Sequence, residues 1–179
     1  MNKNSLRMKN NFLGMFILFL CFGFSVPTLQ SQTDLSSRNE QDIPIYNFDS
    51  LESLLHTKSE KTYVVNFWAM WCAPCVKELP FFQAYAENNP DVEVLLVSLD
   101  FPEDIESKLK PFLKKIGITT KVVLLDDPDA NSWIDKIDPN WSGAIPFTIV
   151  FNNKKRSFHE RAFNSLQDLE NAINLTINK

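Results

Sequence analysis

Cys72 and Cys75 are the residues whose type and spacing best suit chemistry. They lie in the stretch Val64-Val65-Asn66-Phe67-Trp68-Ala69-Met70-Trp71-Cys72-Ala73-Pro74-Cys75-Val76-Lys77-Glu78-Leu79-Pro80. An apolar run feeds the two cysteines and a helical pattern follows, so the segment reads as strand, sharp turn and helix. Two sulfurs separated by two residues at a helix start lie close enough to close a small disulfide, and the helix dipole favours a thiolate there. The pair is therefore expected to form a redox couple. Cys72, at the helix mouth where unpaired backbone N–H groups point outward, is expected to be the more acidic and more exposed sulfur. Cys75, one turn in, is expected to be the buried resolving partner. Pro74 costs little in the first helical turn, where its missing N–H has no bond to lose, whereas Pro80 is expected to kink the helix.

Two other uses of such a pair are weaker. Tetrahedral zinc needs two further ligands, and His56 and His159 are isolated in sequence, so no metal is expected. A purely structural disulfide fits poorly with the flanking tryptophans and the strand-to-helix context. Glu78, three residues after Cys75, falls on the same helical side and is either a proton-handling carboxylate or, beside Lys77, an exposed helix charge.

The elements that would position these residues follow from periodicity. Ile43 to Phe48 is expected as a strand, followed by a short helix with Asp49-Ser50 as its cap and Leu51, Leu54 and Leu55 on one face. Lys61 to Phe67, β-branched and aromatic, reads as a central strand buried on both faces. The cysteine-bearing helix runs from Ala73 to about Asn88, with Val76, Leu79, Phe82 and Ala86 at core spacing, and Val92 to Leu99 is the next buried strand. Phe101-Pro102-Glu103-Asp104 starts a helix that Pro111 bends and Gly117 ends. Val122 to Leu125 is a short strand, and a helix holding Trp133, Ile134 and Ile137 follows Asp126-Asp127-Pro128. Phe147 to Phe151 and Ser157 to Arg161 pair as a hairpin, and Ser165, with Asp168, caps the last helix. The alternation implies an α/β domain, a mixed central sheet with helices on both faces.

The chain of 179 residues is expected to hold one such domain, residues 43–179, behind a leader and a tether. Residues 1–25 have signal-peptide grammar: three positive charges, a continuous apolar run from Phe12 to Phe24 too short for an ordinary membrane span, and small residues after it. Export is the expectation; an uncleaved anchor or a lipid on Cys21 are the alternatives, and the membrane is met only through this leader. Residues 26–42, rich in polar residues with little to bury, are expected to be a flexible tether. Without Lys3, Arg7 and Lys9 the chain has fifteen basic against twenty-two acidic residues, a charge of -7, which leaves nothing to favour nucleic acid. Composition is ordinary for a globular protein, at 44% apolar and 22% charged.

Phe67-Trp68-Ala69-Met70-Trp71-Cys72-Ala73-Pro74-Cys75, with Pro80 five residues on, resembles the active-site segment of the thioredoxin superfamily. Asn66 where thioredoxin carries an aspartate, Lys77-Glu78-Leu79-Pro80 after the second cysteine and Trp141-Ser142-Gly143-Ala144-Ile145-Pro146 later resemble the extracytoplasmic TlpA/ResA-like thiol-disulfide oxidoreductases. The similarity covers roughly residues 43 to 177. It implies a thioredoxin-like fold with an extra N-terminal strand and helix and a central insertion. It also implies a buried carboxylate at Glu78 and a cis proline at Pro146 facing the disulfide, with the backbone before it pairing with an extended substrate. Asn66 can hydrogen-bond but cannot accept a proton at neutral pH, so the base role of thioredoxin's aspartate does not carry over to it.

The expected activity is thiol-disulfide exchange: Cys72 attacks a substrate disulfide and Cys75 resolves the mixed disulfide. Trp71, Ala73, Pro74, Ile145 and Pro146 are the expected substrate contacts, with Asn66 and Trp68 in support. Trp71 and Trp141 are read as apolar walls beside the sulfurs, although core packing explains Trp141 as well. Ala73-Pro74 adds no charge to stabilise a thiolate, which favours a reductant over a strong oxidant. The partners are disulfide-containing envelope proteins, apocytochromes c among them, and a membrane thiol-disulfide electron donor; no cofactor is implied. The rival classes are a thiol peroxidase and a non-enzymatic disulfide-bearing or zinc-holding module.

Overall fold

The computed structural model describes residues 42–178, so the leader, the tether up to residue 41 and Cys21 lie outside the described residues. Strands β1 (Ile45–Tyr46), β2 (Thr62–Trp68), β3 (Val92–Ser98), β4 (Lys121–Leu125), β5 (Phe147–Phe151) and β6 (Arg156–His159) form one sheet in the order β1-β4-β3-β2-β5-β6. The pairs β1·β4, β4·β3 and β3·β2 are parallel, whereas β2·β5 and β5·β6 are antiparallel. Helices α1 (Phe48–Leu55), α2 (Ala73–Asn88), α3 (Lys110–Ile116), α4 (Ala130–Ile137) and α5 (Leu166–Ile177) cover both faces. This is the mixed α/β architecture expected.

The period of two in β2 divides the core. Val64 and Trp68 point to the face packed by Leu79 and Phe82 of α2, Leu113 of α3 and Leu169 and Ile173 of α5. Val65 and Phe67 point to the other, with Leu51 and Leu55 of α1 and Trp133 and Ile137 of α4. A strand covered on both sides has no solvated face to alternate toward, which is why it reads as a continuous apolar run.

Several boundaries differ from expectation for identifiable reasons. The first strand is only Ile45–Tyr46, and its C-terminal end is cut short because α1 starts at Phe48, whose N–H donates to Asp127 Oδ2 at 3.0 Å. The cap of α1 is Asn47 and neither Asp49 nor Ser50: its Oδ1 accepts the Ser50 N–H at 3.0 Å. The stretch after Phe101 is not one bent helix but a 3-10 turn (Pro102–Asp104), a π turn (Ile105–Leu109) and then α3. Pro111 has no N–H to continue an α ladder, and Lys110 N–H reaches back five residues to Ile105 O. Gly117 ends α3 as expected, at φ 73°, with Ile118 N–H bonded to Leu113 O at 3.0 Å. The hairpin partner is four residues, Arg156–His159, and stops before Arg161. In α2, Pro80 lies inside a helix that continues through it, and Val76 and Ala86 are only half-buried while Glu78, Gln83 and Tyr85 are buried.

Candidate active site

Three loops meet at one end of the sheet because β2 and β3 end there and antiparallel β5 begins there. Trp68 is paired with Ser98, and Phe67 with Phe147. The middle loop, 69–72, is held on the β3 side by Leu99 N–H donating to Trp68 O at 2.8 Å. It is held again by Met70 N–H, which lies 3.1 Å from both carboxylate oxygens of Asp100. Asp100 is itself buried and accepts from Ser98 Oγ at 2.8 Å; burial raises its pKa.

Cys72 is the N-cap of α2 and bonded to Cys75 with S–S 2.00 Å. Its Sγ accepts the Cys75 N–H at 3.3 Å, and its carbonyl accepts the Val76 N–H at 3.0 Å, so the helix end is satisfied by the redox residue itself. The expected asymmetry is present, but narrower than the sequence implied: Cys72 is 6% exposed and Cys75 0%. The cover over Cys72 comes from the β5 side, where its Sγ lies 3.7 Å from the Ile145 carbonyl oxygen. The Ile145-Pro146 bond is cis and Pro146 is buried, whereas Ala73 and Pro74 are exposed.

Glu78 is fully buried, while its neighbour Lys77 is exposed. Its Oε1 accepts from Asn66 Nδ2 at 2.9 Å and its Oε2 from Phe163 N–H at 2.7 Å. Loss of water raises its pKa from 4.5 to about 7, against the downward pull of those two hydrogen bonds and of Arg161. Near neutral pH both forms of Glu78 are populated, one turn from Cys75. Asn66 also donates to Thr148 Oγ1 at 3.0 Å, and its buried Oδ1 has no hydrogen-bond partner among the described residues. Trp68 is buried behind the site, stacked 6.0 Å from Phe112, with its indole N–H likewise unpartnered there.

The two expected walls separate. Trp71 stands 66% exposed beside the sulfurs. Trp141 does not join it: it packs in the opposite core from the sulfurs, stacked on Phe147 at 4.1 Å, and its N–H donates to Ala144 O at 2.8 Å. An aromatic with a polar edge can satisfy that edge by fixing a turn, and here the turn is the one leading to Pro146. Asp100, Thr148 and Phe163 were not foreseen. Asp100 left the only visible signal, an acid directly after an apolar strand; Phe163 acts through its backbone N–H, which no side-chain pattern marks.

Fold and sulfur pair together define a thioredoxin-like domain built around a C-x-x-C disulfide. The chain belongs to the AhpC/TSA family, whose model matches residues 42–159. It is 36% identical over 69 residues to sporulation thiol-disulfide oxidoreductase A of Bacillus subtilis (strain 168), covering 37% of this chain and 41% of that protein. It is 49% identical over 45 residues to thiol-disulfide oxidoreductase ResA of Oceanobacillus iheyensis, covering 24% of this chain and 23% of that one. The matched stretches thus span less than half of either relative. Among solved structures, a thioredoxin-related protein from Neisseria meningitidis serogroup B superimposes with a TM-score of 0.56 at 26% identity, over 71% of this chain and 92% of the other.

Proposed function

We propose that this chain is an exported thiol-disulfide oxidoreductase that reduces disulfides in envelope proteins, apocytochromes c among them. The observation that carries the reading is the Cys72–Cys75 disulfide capping α2 with the buried Glu78 carboxylate one turn below it. In the reduced protein the Cys72 thiolate attacks one substrate sulfur, forming a mixed disulfide and releasing the other as a thiolate. Cys75 passes its proton to Glu78 and attacks Cys72 Sγ, which restores the protein disulfide and releases the second substrate thiolate. Two electrons pass to the substrate, and a dithiol donor at the membrane returns them. Export rests on the leader grammar of residues 1–25.

The test is turnover of insulin disulfides by the reduced protein, together with the potential of the Cys72–Cys75 couple. Reduction of insulin and a potential near thioredoxin's, about -270 mV, are expected; a value near about -120 mV would make the protein an oxidant instead. Rapid consumption of hydroperoxide with no action on insulin would favour the thiol peroxidase reading.

A further inference from the structure

Among the described residues, the exposed large apolar side chains are Ile45, Trp71, Phe101 and Leu175. Two of these four stand at the sulfur end of the sheet. Trp68 and Ser98 are register partners, and Trp71 and Phe101 each lie three residues beyond that rung. The residues directly before them, Met70 and Asp100, are hydrogen-bonded to each other, so the loops carrying the two aromatics are fastened together next to Cys72.

Phe101 packs into neither core and is 62% exposed. Its backbone, by contrast, is fixed. Buried Asp100 precedes it, Pro102 with its restricted φ follows it, and its carbonyl accepts the Asp104 N–H at 3.0 Å. Helix capping does not require an aromatic there, since the 3-10 turn uses only the Phe101 backbone. An aromatic side chain on a fixed backbone has only two side-chain torsions to lose on contact, and it gains by being covered.

We propose that Phe101, together with Trp71, forms an apolar subsite that selects the substrate, an inference that rests on the thiol-disulfide exchange reading above. Its occupant is an aromatic or large aliphatic side chain on an extended polypeptide segment, within about three positions of the substrate cysteine. The distance follows from the sheet. The Phe101 loop leaves β3, the sulfurs follow β2, and the Ile145 carbonyl, 3.7 Å from Cys72 Sγ, precedes β5. Adjacent strands lie about 4.8 Å apart. A substrate cysteine whose backbone lies at the Ile145 carbonyl and whose sulfur reaches Cys72 is therefore roughly 10 Å from the Phe101 loop, which an extended chain rising about 3.3 Å per residue crosses in about three residues.

The test uses two ten-residue peptides that carry one cysteine as a mixed disulfide with 2-mercaptoethanol and differ only by Phe or Ser three positions from it. The reduced full chain is mixed with each under single-turnover conditions. Its second-order rate constant is expected to be about tenfold higher for the Phe peptide, the effect of partly covering one aromatic ring. Phe101→Ser should bring that ratio close to one, and Phe101→Tyr should keep it. Equal rates for both peptides with the parent protein, or an unchanged ratio in Phe101→Ser, would overturn the subsite. A second arm titrates the oxidised chain with the same peptides carrying Ser for Cys, so that no exchange occurs, and follows tryptophan fluorescence. Phe-dependent binding without exchange on any disulfide would sink the redox reading and leave the subsite standing. Exchange with no dependence on Phe in either arm would do the reverse.

Discussion

Two sulfurs three residues apart differ in what reaches them: Cys72 keeps 6% of its surface open at the end of α2, while Cys75 is closed off one turn inward. A substrate disulfide therefore meets Cys72 first, and Cys75 can act only on a bond that Cys72 has already formed. Cys75→Ser should accumulate mixed disulfides through Cys72, and Cys72→Ser should accumulate few. Pull-down of both variants followed by mass spectrometry checks this, and equal capture would reverse the assignment. Asp100 holds the loop that leads into Cys72, through the Met70 backbone. Asp100→Ala removes the acceptor for Met70 N–H and Ser98 Oγ in a buried place, and two orphaned donors cost about 2 to 4 kcal/mol. Asp100→Asn keeps one acceptor oxygen and should lose about 1 kcal/mol. Urea unfolding of the oxidised proteins measures both, and an Asp100→Ala curve matching the parent would mean the loop is held by other contacts.

At the scale of elements, α2 is bound to more than the sheet. Gln83 Oε1 accepts from Thr119 N–H and Thr120 N–H, both at 2.9 Å, and from Thr120 Oγ1 at 2.7 Å, which fastens the helix to the loop entering β4. Gln83→Ala leaves those donors without that acceptor and should cost about 2 to 4 kcal/mol, with the loss appearing in the urea midpoint and not in its slope. A loss under about 0.5 kcal/mol would show that water replaces the side chain. Such links mark where the sequence stops being legible. The limits of α2, Ala73 to Asn88, follow from a cysteine and a proline at its start and an apolar period within it, all local signals. The cap at Ser165 is local too. Gln83 is a polar residue on an otherwise ordinary helix, and its partners lie 36 and 37 positions away, so nothing in the local pattern singles it out. The same holds for the pairing of Asp100 with Met70, which exists only once β3 lies beside β2. Trp141 stays open between wall and core in the sequence for the related reason that an aromatic near a reactive centre and an aromatic in a core look alike until the face of the sheet is known. Where the stretch after Phe101 failed to form one helix, Pro111 was the visible cause, but a π turn and a simple bend are equal solutions to a missing N–H.

For the molecule as a whole, burying Glu78 links stability to pH. In the folded protein its pKa is about 7, against 4.5 in water, so between those values the folded state holds more proton than the unfolded state. Stability therefore falls as pH rises from 4.5 to 7, by about 3 kcal/mol at 1.36 kcal/mol per unit, and the loss is complete above pH 7. Other groups act in the acid range as well. Burial lowers the pKa of His159, which removes stability as pH falls below 6.5, and Arg161 holds Asp168 at about 2, whose contribution is lost between 3.8 and 2. The hydrogen bond from Ser142 lowers the pKa of Glu160, whose contribution is lost as pH falls below 4.5, and burial raises that of Asp100, which removes stability as pH rises past 3.8. The difference between the parent and Glu78→Gln removes most of these contributions, which the two proteins share, and leaves the smaller coupling of Glu78 to the charges of Arg161 and Asp168. The new amide can be accommodated: its oxygen can accept from Phe163 N–H, and its NH2 can donate to Asn66 Oδ1, unpartnered among the described residues of the parent, once the Asn66 amide turns over. The variant should match the parent near pH 4.5 and exceed it by about 3 kcal/mol at pH 8, measured by urea unfolding of the oxidised proteins across that range. In the reduced proteins, resolution should slow and the pH profile of thiol alkylation should change, because no group remains to take the Cys75 proton. A stability difference that stays constant from pH 4.5 to 8, with superimposable alkylation profiles, would show that Glu78 does not change protonation there and that another group moves the proton.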